Sequence, residues 1–253
     1  MPRTMLSDNA WEQLKKLLKK SGRVYNKYEH RNTLEGILYR MRTGIPWRDL
    51  PKEFGDWSTV FRRFNLWSQK GVLDKLFRDL STDSDSDWLF IDGSIIKAHQ
   101  DSSGAASDDT QAIGKSRGGN TTKIHLAVDS GGLPVHFEIS GGQVNDIVHA
   151  ESLIARSPLT DSVIADKGYD SEPLREFIRG RGSRVYIPRK KNSNTGNIDM
   201  DWCLYQYRHL VENAFLKIKK YRAVATRYDK LARNYHSVIS LAFIMIWLPM
   251  HCD

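Results

Sequence analysis

Cysteine is scarce in this chain, which has two cysteines, Cys203 and Cys252, among its 253 residues. Because the two are not spaced as a CxxC pair, they exclude a disulfide framework and a four-cysteine zinc site. Long apolar runs are missing too, since the longest, residues 239–250, is interrupted by Ser240 and is too short to span a bilayer. The first twenty residues contain no apolar stretch followed by a small-residue cleavage site. We therefore expect a soluble, cytoplasmic protein in which residues 239–248 form a buried helix.

Charge is unevenly distributed along the chain. Residues 1–80 carry a formal net charge of +8, residues 81–188 of −6 and residues 189–253 of +6. Basic flanks favour contact with a polyanion, and an acidic middle favours bound cations. Charge alone is equally compatible with ordinary solvated surfaces.

The first eighty residues have the apolar spacing of helices. Ser7 is a suitable N-cap for the first helix, and Ser58 for a later one at residues 59–69. The apolar stripe of that later helix leaves Arg62 and Arg63 on another side. Two helices, a tight connection and a further helix with outward arginines are typical of a helix-turn-helix DNA reader. A helical bundle with ordinary surface arginines is the alternative.

Residues 81–87 are short, polar and acidic, which is typical of a linker, so we predict domains at 1–80 and 88–253. Residues 99–120 contain almost no large apolar side chain and predict a mobile loop. The remaining patterns predict strands at 88–91, 122–129, 133–139, 162–165 and 184–187, and helices at 148–156, 172–179 and 202–221. This order predicts an α/β fold, a ribonuclease H-like mixed sheet with flanking helices, preceded by an all-α domain.

Two aspartates directly follow predicted strands. Asp92 and Asp166 lie where α/β sheets usually hold ligands, and adjacent strands would bring them together. Paired carboxylates repel unless a proton or metal intervenes, and an oxygen donor set selects Mg²⁺ or Mn²⁺ over zinc. Glu212, well inside the long predicted helix, is the candidate third ligand.

Glu212 also belongs to a polar stripe on that helix. At 100° per residue, Tyr205, Arg208, Glu212 and Lys219 fall within about 60° of one another, beside the apolar face. The helix would pack on the sheet with Glu212 at the margin of its buried side, where it can turn toward the strand ends. The flanking cations would then face phosphate oxygens.

Three segments, WLFIDGSIIKAH, VIADKGYDSEPLR and YQYRHLVENAFLKIKKYRAVATRYDK, resemble the catalytic blocks of the bacterial DDE transposases, most nearly those of the insertion-sequence-5 family. The third block satisfies the family signature Y(2)R(3)E(6)K at every position. The segment from LYRMRTG to WSQKGV is similar to the family's N-terminal DNA-binding region. Only 45 residues separate Asp166 from Glu212, which leaves no room for a large insertion domain there.

The resemblance implies a transposase that cleaves DNA and transfers strands. Asp92, Asp166 and Glu212 would be catalytic and would hold two Mg²⁺ ions, for which Mn²⁺ can substitute. Arg208 and Lys219 would grip terminal phosphates, and Tyr205 would orient the helix or stack on a base. The partners implied are the terminal inverted repeats and target DNA, with a homodimer in the synaptic complex, no membrane and no nucleotide cofactor. The location implied is the bacterial cytoplasm, at the nucleoid.

The segment GKSRGGNTTK begins with GKS, which resembles the end of a P-loop, but Asp109 stands where the first glycine of that motif is required, so we do not expect ATP binding. We interpret it as a flexible basic lip whose Lys115, Arg117 and Lys123 approach DNA, with a solvated loop as the alternative. The histidines are too scattered to predict a zinc site. Two further functions stay open: a nuclease or resolvase on the same fold, which would hydrolyse DNA without joining it, and a DNA-binding regulator without chemistry.

Overall fold

The computed structural model describes residues 3–21, 29–104, 111–191, 193 and 195–251. The chain forms two compact units. The first comprises Met1–Leu80, Lys97–Gln111 and Ile218–Asp253, and the second comprises Ser81–Ile96 and Ala112–Lys217. The division after Leu80 precedes the segment 81–87, and residues 218–253 belong to the first unit.

The described chain begins with four helices and continues with four strands, after which helices and strands are interspersed. The helices are α1 (Asp8–Lys20), α2 (Glu29–Thr43), α3 (Trp57–Gln69), α4 (Val72–Ser81), α5 (Ile147–Ala155), α6 (Glu172–Gly180), α7 (Trp202–Tyr205), α8 (His209–Lys219), α9 (Arg222–Ala225) and α10 (Ala232–Trp247). The strands are β1 (Trp88–Ala98), β2 (Gly114–Ser116), β3 (Gly119–Val128), β4 (Pro134–Gly141), β5 (Ser162–Ile164), β6 (Arg184–Tyr186) and β7 (Thr226–Arg227). None of these described helices is both long and apolar enough to cross a membrane.

The first unit is built from helices with apolar faces. Ser7 caps α1 as predicted, since its side chain accepts a hydrogen bond from the Ala10 amide. In α3 the cap is Asp56 instead of Ser58, because the Asp56 carboxylate accepts hydrogen bonds from the Ser58 and Thr59 amides. Helix α10 is the predicted buried helix, extended toward its N-terminus, and it packs against α3.

The connection between α2 and α3 differs from the expected tight turn. It spans residues 44–56 and contains two short 3-10 turns, Trp47–Asp49 and Lys52–Phe54. A helix-turn-helix joins its two helices by three or four residues, so this connection is longer than that motif requires. An all-helical N-terminal region is thus present, but the helix-turn-helix geometry is not established by α2 and α3.

The second unit contains a mixed sheet, as predicted. Its strands lie in the order β2-β3-β1-β5-β6, and β4 pairs with β3. Strand β5 runs parallel to both β1 and β6, whereas β3 and β4 run antiparallel. Apolar side chains of β1, β5 and β6 form one core with those of α5 and α6, including Leu89, Val163 and Ile178. This core fixes β1, which contains Asp92, and β5, which ends two residues before Asp166.

One strand prediction and one loop prediction were wrong. Strand β1 does not end before Asp92 but continues to Ala98, and its last two residues pair with β7. The predicted mobile loop and flexible lip contain a hairpin of β2 and β3, in which Ser116 pairs with Gly119. Gly119 has a φ of +88°, a conformation that glycine adopts without strain and that closes this turn. Residues 105–110 of the predicted loop lie outside the described residues.

Candidate active site

Asp92 lies within β1, and Asp166 lies two residues after the end of the neighbouring parallel strand β5. The pairing of the two strands ends with Phe90 opposite Ile164, two residues before each aspartate. The negative charge of Asp166 acts on the pKa of Asp92, so the two carboxylates are close enough to interact. The Asp92 carboxylate accepts a hydrogen bond from the Gly93 amide at 2.8 Å, and that of Asp166 accepts one from the Gly168 amide at 2.7 Å. Each carboxylate is therefore oriented by the backbone just after it.

Glu212 approaches the same region from α8. The predicted long helix consists of α7, a 3-10 turn at Gln206–Arg208, and α8. The apolar face beside the stripe is buried as predicted, with Val211 and Phe215 among its members. Glu212 lies in the first turn of α8, and its side chain is 56% exposed. Its carboxylate is thus held by packing of the helix and not by burial of the side chain.

Arg208 joins the acids that the sequence analysis selected. Its Nη2 atom donates a hydrogen bond to Asp92 Oδ2 at 3.3 Å and lies 3.8 Å from Glu212 Oε1. The guanidinium also lies over the Tyr205 ring, 5.6 Å from its centroid. Burial alone would lower the pKa of Arg208, but the charge of Asp92, the contact with Tyr205 and the charge of Asp166 together raise it above its ordinary value. Arg208 therefore remains a cation at the meeting point of strand end and helix.

The Asp92 carboxyl is electrostatically strained. Burial is the main cause that raises its pKa, and the negative charges of Asp166 and Asp146 raise it further. The Gly93 amide and the Arg208 guanidinium act in the opposite direction but do not cancel the shift. Repulsion of this kind is relieved by a proton or by a cation between the carboxylates. We refer to Asp92, Asp166 and Glu212 as the acidic centre.

The acidic centre suits a hard divalent cation in its donor chemistry. All three side chains offer carboxylate oxygens, which Mg²⁺ and Mn²⁺ prefer, and no sulfur or imidazole is among them. Among the described residues, no group of three or more acidic, histidine or cysteine side chains is arranged as a ready-made metal cage. Arg208 instead supplies the positive charge between two of the acids. A bound cation would take over that role.

Asp146 is a fourth carboxylate near these acids, and the sequence patterns did not predict it. It lies at the N-terminal end of α5, with Oδ2 3.2 Å from Lys123 Nζ and Oδ1 3.4 Å from His125 Nδ1. Its charge acts on Asp92 and on Tyr169. The sequence does contain one indication of such an acid. In β3 the ionisable residues Lys123 and His125 alternate with apolar residues, and the strand is buried on both sides. Such residues need a buried partner.

Tyr169 also faces the acids. Its side chain is 1% exposed, and its hydroxyl has no hydrogen-bond partner among the described residues. Burial raises its pKa, and the charges of Asp146, Asp92 and Asp166 raise it further. The phenol is therefore neutral and close to all three aspartates.

The predicted DNA contacts divide into exposed and buried side chains. Lys115 and Arg117 are exposed on the β2–β3 hairpin, and Arg62 is exposed on α3. Arg63 is half-buried, with Nη1 3.5 Å from His30 Nε2. Lys123 does not lie on an exposed lip, because it is only 7% exposed and its ammonium donates to Val144 O and Asp146. We therefore replace the prediction of a DNA contact at Lys123 by an internal ion pair.

Lys219 is the last residue of α8, seven positions after Glu212. Burial lowers its pKa. Its membership of the same helix as Glu212 agrees with the predicted stripe, whereas the 3-10 turn interrupts the uniform 100° spacing that the prediction assumed for Tyr205 and Arg208.

Comparison with known proteins gives two family matches. Residues 6–77 match a family described as "Putative transposase of IS4/5 family", and residues 83–248 match a family described as "Transposase DDE domain". The chain is 35% identical over 128 residues to "Putative transposase for insertion sequence element IS6501" of Brucella ovis. The alignment covers 51% of this chain and 98% of that protein.

Two further relatives align with about half of the chain. The chain is 31% identical over 128 residues to "Uncharacterized protein y4sN" of Sinorhizobium fredii, covering 50% of this chain and 96% of the relative. It is 25% identical over 136 residues to "Putative transposase for insertion sequence element IS402" of Burkholderia cepacia. This alignment covers 49% of this chain and 62% of the relative. No solved structure matches the chain.

Proposed function

The chain belongs to the DDE transposases of insertion sequences, a family whose catalytic domain implies a ribonuclease H-like fold, and from this premise we propose that it cuts the ends of such an element and joins them to target DNA. The observation that carries the proposal is the single guanidinium of Arg208, which contacts carboxylates of both Asp92 and Glu212. Together with the register of β1 and β5, this contact supports the proposal that acids from distant parts of the sequence act at one centre. Converging carboxylates are what metal-dependent phosphodiester chemistry requires.

Asp92, Asp166 and Glu212 hold the metal in this proposal. When bound, two Mg²⁺ ions, or Mn²⁺ in their place, activate the attacking hydroxyl and stabilise the leaving oxygen of an in-line displacement. The attacking groups are water during cleavage and the freed 3′-hydroxyl during joining, so the chain does not need to supply a serine or tyrosine nucleophile.

Arg208 has two successive roles in the proposed reaction. Without a divalent cation it compensates the charge of Asp92 and Glu212. If a divalent cation took over that compensation, the guanidinium would be available to bind a phosphate of the DNA end through two parallel hydrogen bonds. The Tyr205 ring supports the guanidinium plane, and Lys219 contributes a second cation from the end of α8.

The basic helical unit is proposed to recognise the element ends, with Arg62 exposed on α3 for phosphate contact and Arg63 a lesser candidate. Lys115 and Arg117 are proposed backbone contacts on the β2–β3 hairpin. Because two ends must be cut and joined together, the active assembly is proposed to be a homodimer on double-stranded DNA. It works without a nucleotide cofactor, in the bacterial cytoplasm at the nucleoid.

The test is a Glu212→Gln variant with DNA that carries the element's own ends. We expect cleavage in Mg²⁺ to be lost while DNA binding, measured by fluorescence anisotropy, is kept. Glu212 is more than half exposed, so the substitution removes a charge without disturbing the core. Glu151→Gln, at an exposed acid of α5, is the matched control and should cleave normally. Cleavage by Glu212→Gln at the normal rate would refute the assignment.

A pre-cleaved end distinguishes transposition from the other two functions. We expect the protein to join such an end to a target plasmid in Mg²⁺. A nuclease or resolvase would cut the uncleaved substrate but give no joined product. A regulator without chemistry would bind the ends equally well with and without divalent metal and would give neither product.

A further inference from the structure

Gly93, the residue after Asp92, is closely approached by the side chain of Asp146. A β-carbon built on Gly93 would lie 2.0 Å from Asp146 Oδ1 and 2.8 Å from its Cγ, distances at which one group must move. Gly93 is not among the glycines with positive φ, so its backbone conformation does not demand glycine. The demand for glycine here is therefore one of space, and the Asp146 carboxylate fills that space.

The close contact between Asp146 and Gly93 affects the orientation of the Asp92 carboxylate. The amide that precedes the Gly93 α-carbon donates the 2.8 Å hydrogen bond to Asp92 Oδ1. A displacement of the Gly93 backbone therefore moves the donor that aims the Asp92 carboxylate. Because Asp146 limits where the Gly93 α-carbon can lie, it also limits the direction of that hydrogen bond.

Asp146 is itself fixed by two residues of β3. Lys123 donates to Val144 O at 2.7 Å and to Asp146 Oδ2 at 3.2 Å, so its ammonium ties the turn before α5 to the strand. His125 is fully buried, with Nδ1 3.4 Å from Asp146 Oδ1 and Nε2 2.8 Å from Ser140 Oγ. A buried ammonium is costly unless it is paired, and Asp146 is the pairing acid. Two inward-facing residues of one strand thus hold this single carboxylate.

Among the described residues, Asp146 Oδ1, His125 Nδ1 and the Tyr169 hydroxyl are buried polar atoms without a hydrogen-bond partner, the first two lying 3.4 Å apart. Unsatisfied buried polar atoms are rare in folded proteins and call for a physical explanation. Asp146 and Tyr169 both interact electrostatically with Asp92, so these unsatisfied atoms belong to the surroundings of a proposed metal ligand.

We propose that Asp146 is a positioning residue of the acidic centre, which sets the backbone at Gly93 and through it the aim of Asp92. Lys123 and His125 hold Asp146 in place. The proposal rests on the proposed function, because it takes Asp92 to be a metal ligand. Outer residues that orient metal ligands typically contribute about 10- to 100-fold to metal affinity or activity.

The test measures Mn²⁺ affinity of the full chain without DNA, by electron paramagnetic resonance. Asp146→Ala should weaken Mn²⁺ binding by about 10- to 100-fold. Gly93→Ala should weaken it as well, because the new methyl group meets the Asp146 carboxylate. The double variant should bind Mn²⁺ no worse than Asp146→Ala, since the methyl group then occupies vacated space. Additive losses in the double variant, or unchanged affinity in Asp146→Ala, would overturn the proposal.

Asp146→Asn separates positioning from direct coordination. Asparagine keeps the shape that packs on Gly93, can accept from Lys123 and can donate to His125, so it should retain most of the Mn²⁺ affinity that alanine loses. A loss as large as that of alanine would make Asp146 a direct ligand and would refute a positioning role.

Asp129→Asn is the control for a general loss of stability. Asp129 is another buried acid of the same unit, and its carboxylate accepts only from backbone amides in the contacts described. It should lower the unfolding temperature without changing Mn²⁺ affinity. Asp92→Ala gives the reference for the proposed function: if it too binds Mn²⁺ normally, the metal assignment fails as a whole, whereas loss of binding in Asp92→Ala but not in Asp146→Ala refutes only the role of Asp146.

Discussion

Removal of Arg208 should expose how much repulsion the acidic centre contains. The guanidinium and the Asp92 carboxylate are 17% and 21% exposed and lie 3.3 Å apart. At an effective dielectric constant of about 20, unit charges at that distance attract by about 5 kcal/mol. Desolvation of both groups opposes this attraction, and hydrogen bonds to charged groups are typically worth about 1.5–3 kcal/mol net. We expect Arg208→Ala to lower the free energy of unfolding by that smaller amount at neutral pH.

The loss should depend on pH and on divalent metal. Without Arg208, the pKa of Asp92 rises further above its ordinary value of 3.8, because burial, Asp166 and Asp146 all act in that direction. A carboxyl whose pKa is raised by folding destabilises the folded state while it is ionised, and this cost disappears as the pH falls through the raised pKa toward the ordinary value. Mg²⁺ should also restore stability, since a cation bound only by the folded chain stabilises it by mass action.

Urea unfolding of wild type and Arg208→Ala, each at neutral and acidic pH and with or without Mg²⁺, measures these effects. Arg179→Ala is the matched control: its ion pair with Glu172 spans 3.1 Å, but both side chains are about half exposed. Such exposed pairs contribute at most about 1 kcal/mol, with no expected response to Mg²⁺. An Arg208→Ala loss that is the same at both pH values and unaffected by Mg²⁺ would refute the repulsion between the aspartates.

Two further predictions concern the hairpin and the buried phenol. Replacement of both Lys115 and Arg117 by alanine should weaken DNA binding and reduce the slope of log affinity against log salt by about 1.8, which anisotropy at several salt concentrations measures; an unchanged slope would remove the hairpin from the interface. Tyr169→Phe should leave the metal-free stability unchanged or increase it, because the hydroxyl has no partner among the described residues. A decrease above about 1 kcal/mol in urea unfolding would reveal a hydrogen bond to that hydroxyl.

The sequence selects the three candidate acids because their positions follow from local patterns. Asp92 and Asp166 come after apolar segments, and apolar periodicity identifies the helix that carries Glu212. Element bounds from β4 to β6 agree with the prediction within one or two residues for the same reason. Local patterns do not show where a strand ends when its pairing partner is distant, which is why the extension of β1 to its pairing with β7 was missed.

Lys123 and Asp146 show the limit more clearly. In the sequence, Lys123 follows a run of glycine, serine and basic residues, which favours an exposed lip. In the structure its side chain turns inward, because an acid 23 positions later lies on the inner side of the strand. Nothing in the spacing of the two residues indicates this pairing. The close approach of Asp146 to Gly93 is likewise a tertiary contact, visible only after the turn before α5 is placed.

The ion pair of Lys123 completes the charge balance of the site. The acidic centre and Asp146 carry four negative charges when ionised, and Arg208 and Lys123 return two positive ones. His125 adds no charge, because burial is the main cause that lowers its pKa. The residual charge of minus two equals that which one divalent cation neutralises. On the proposed function, a second cation would leave a positive excess that phosphates of bound DNA would match, so we expect complete metal loading only when the nucleic acid is present.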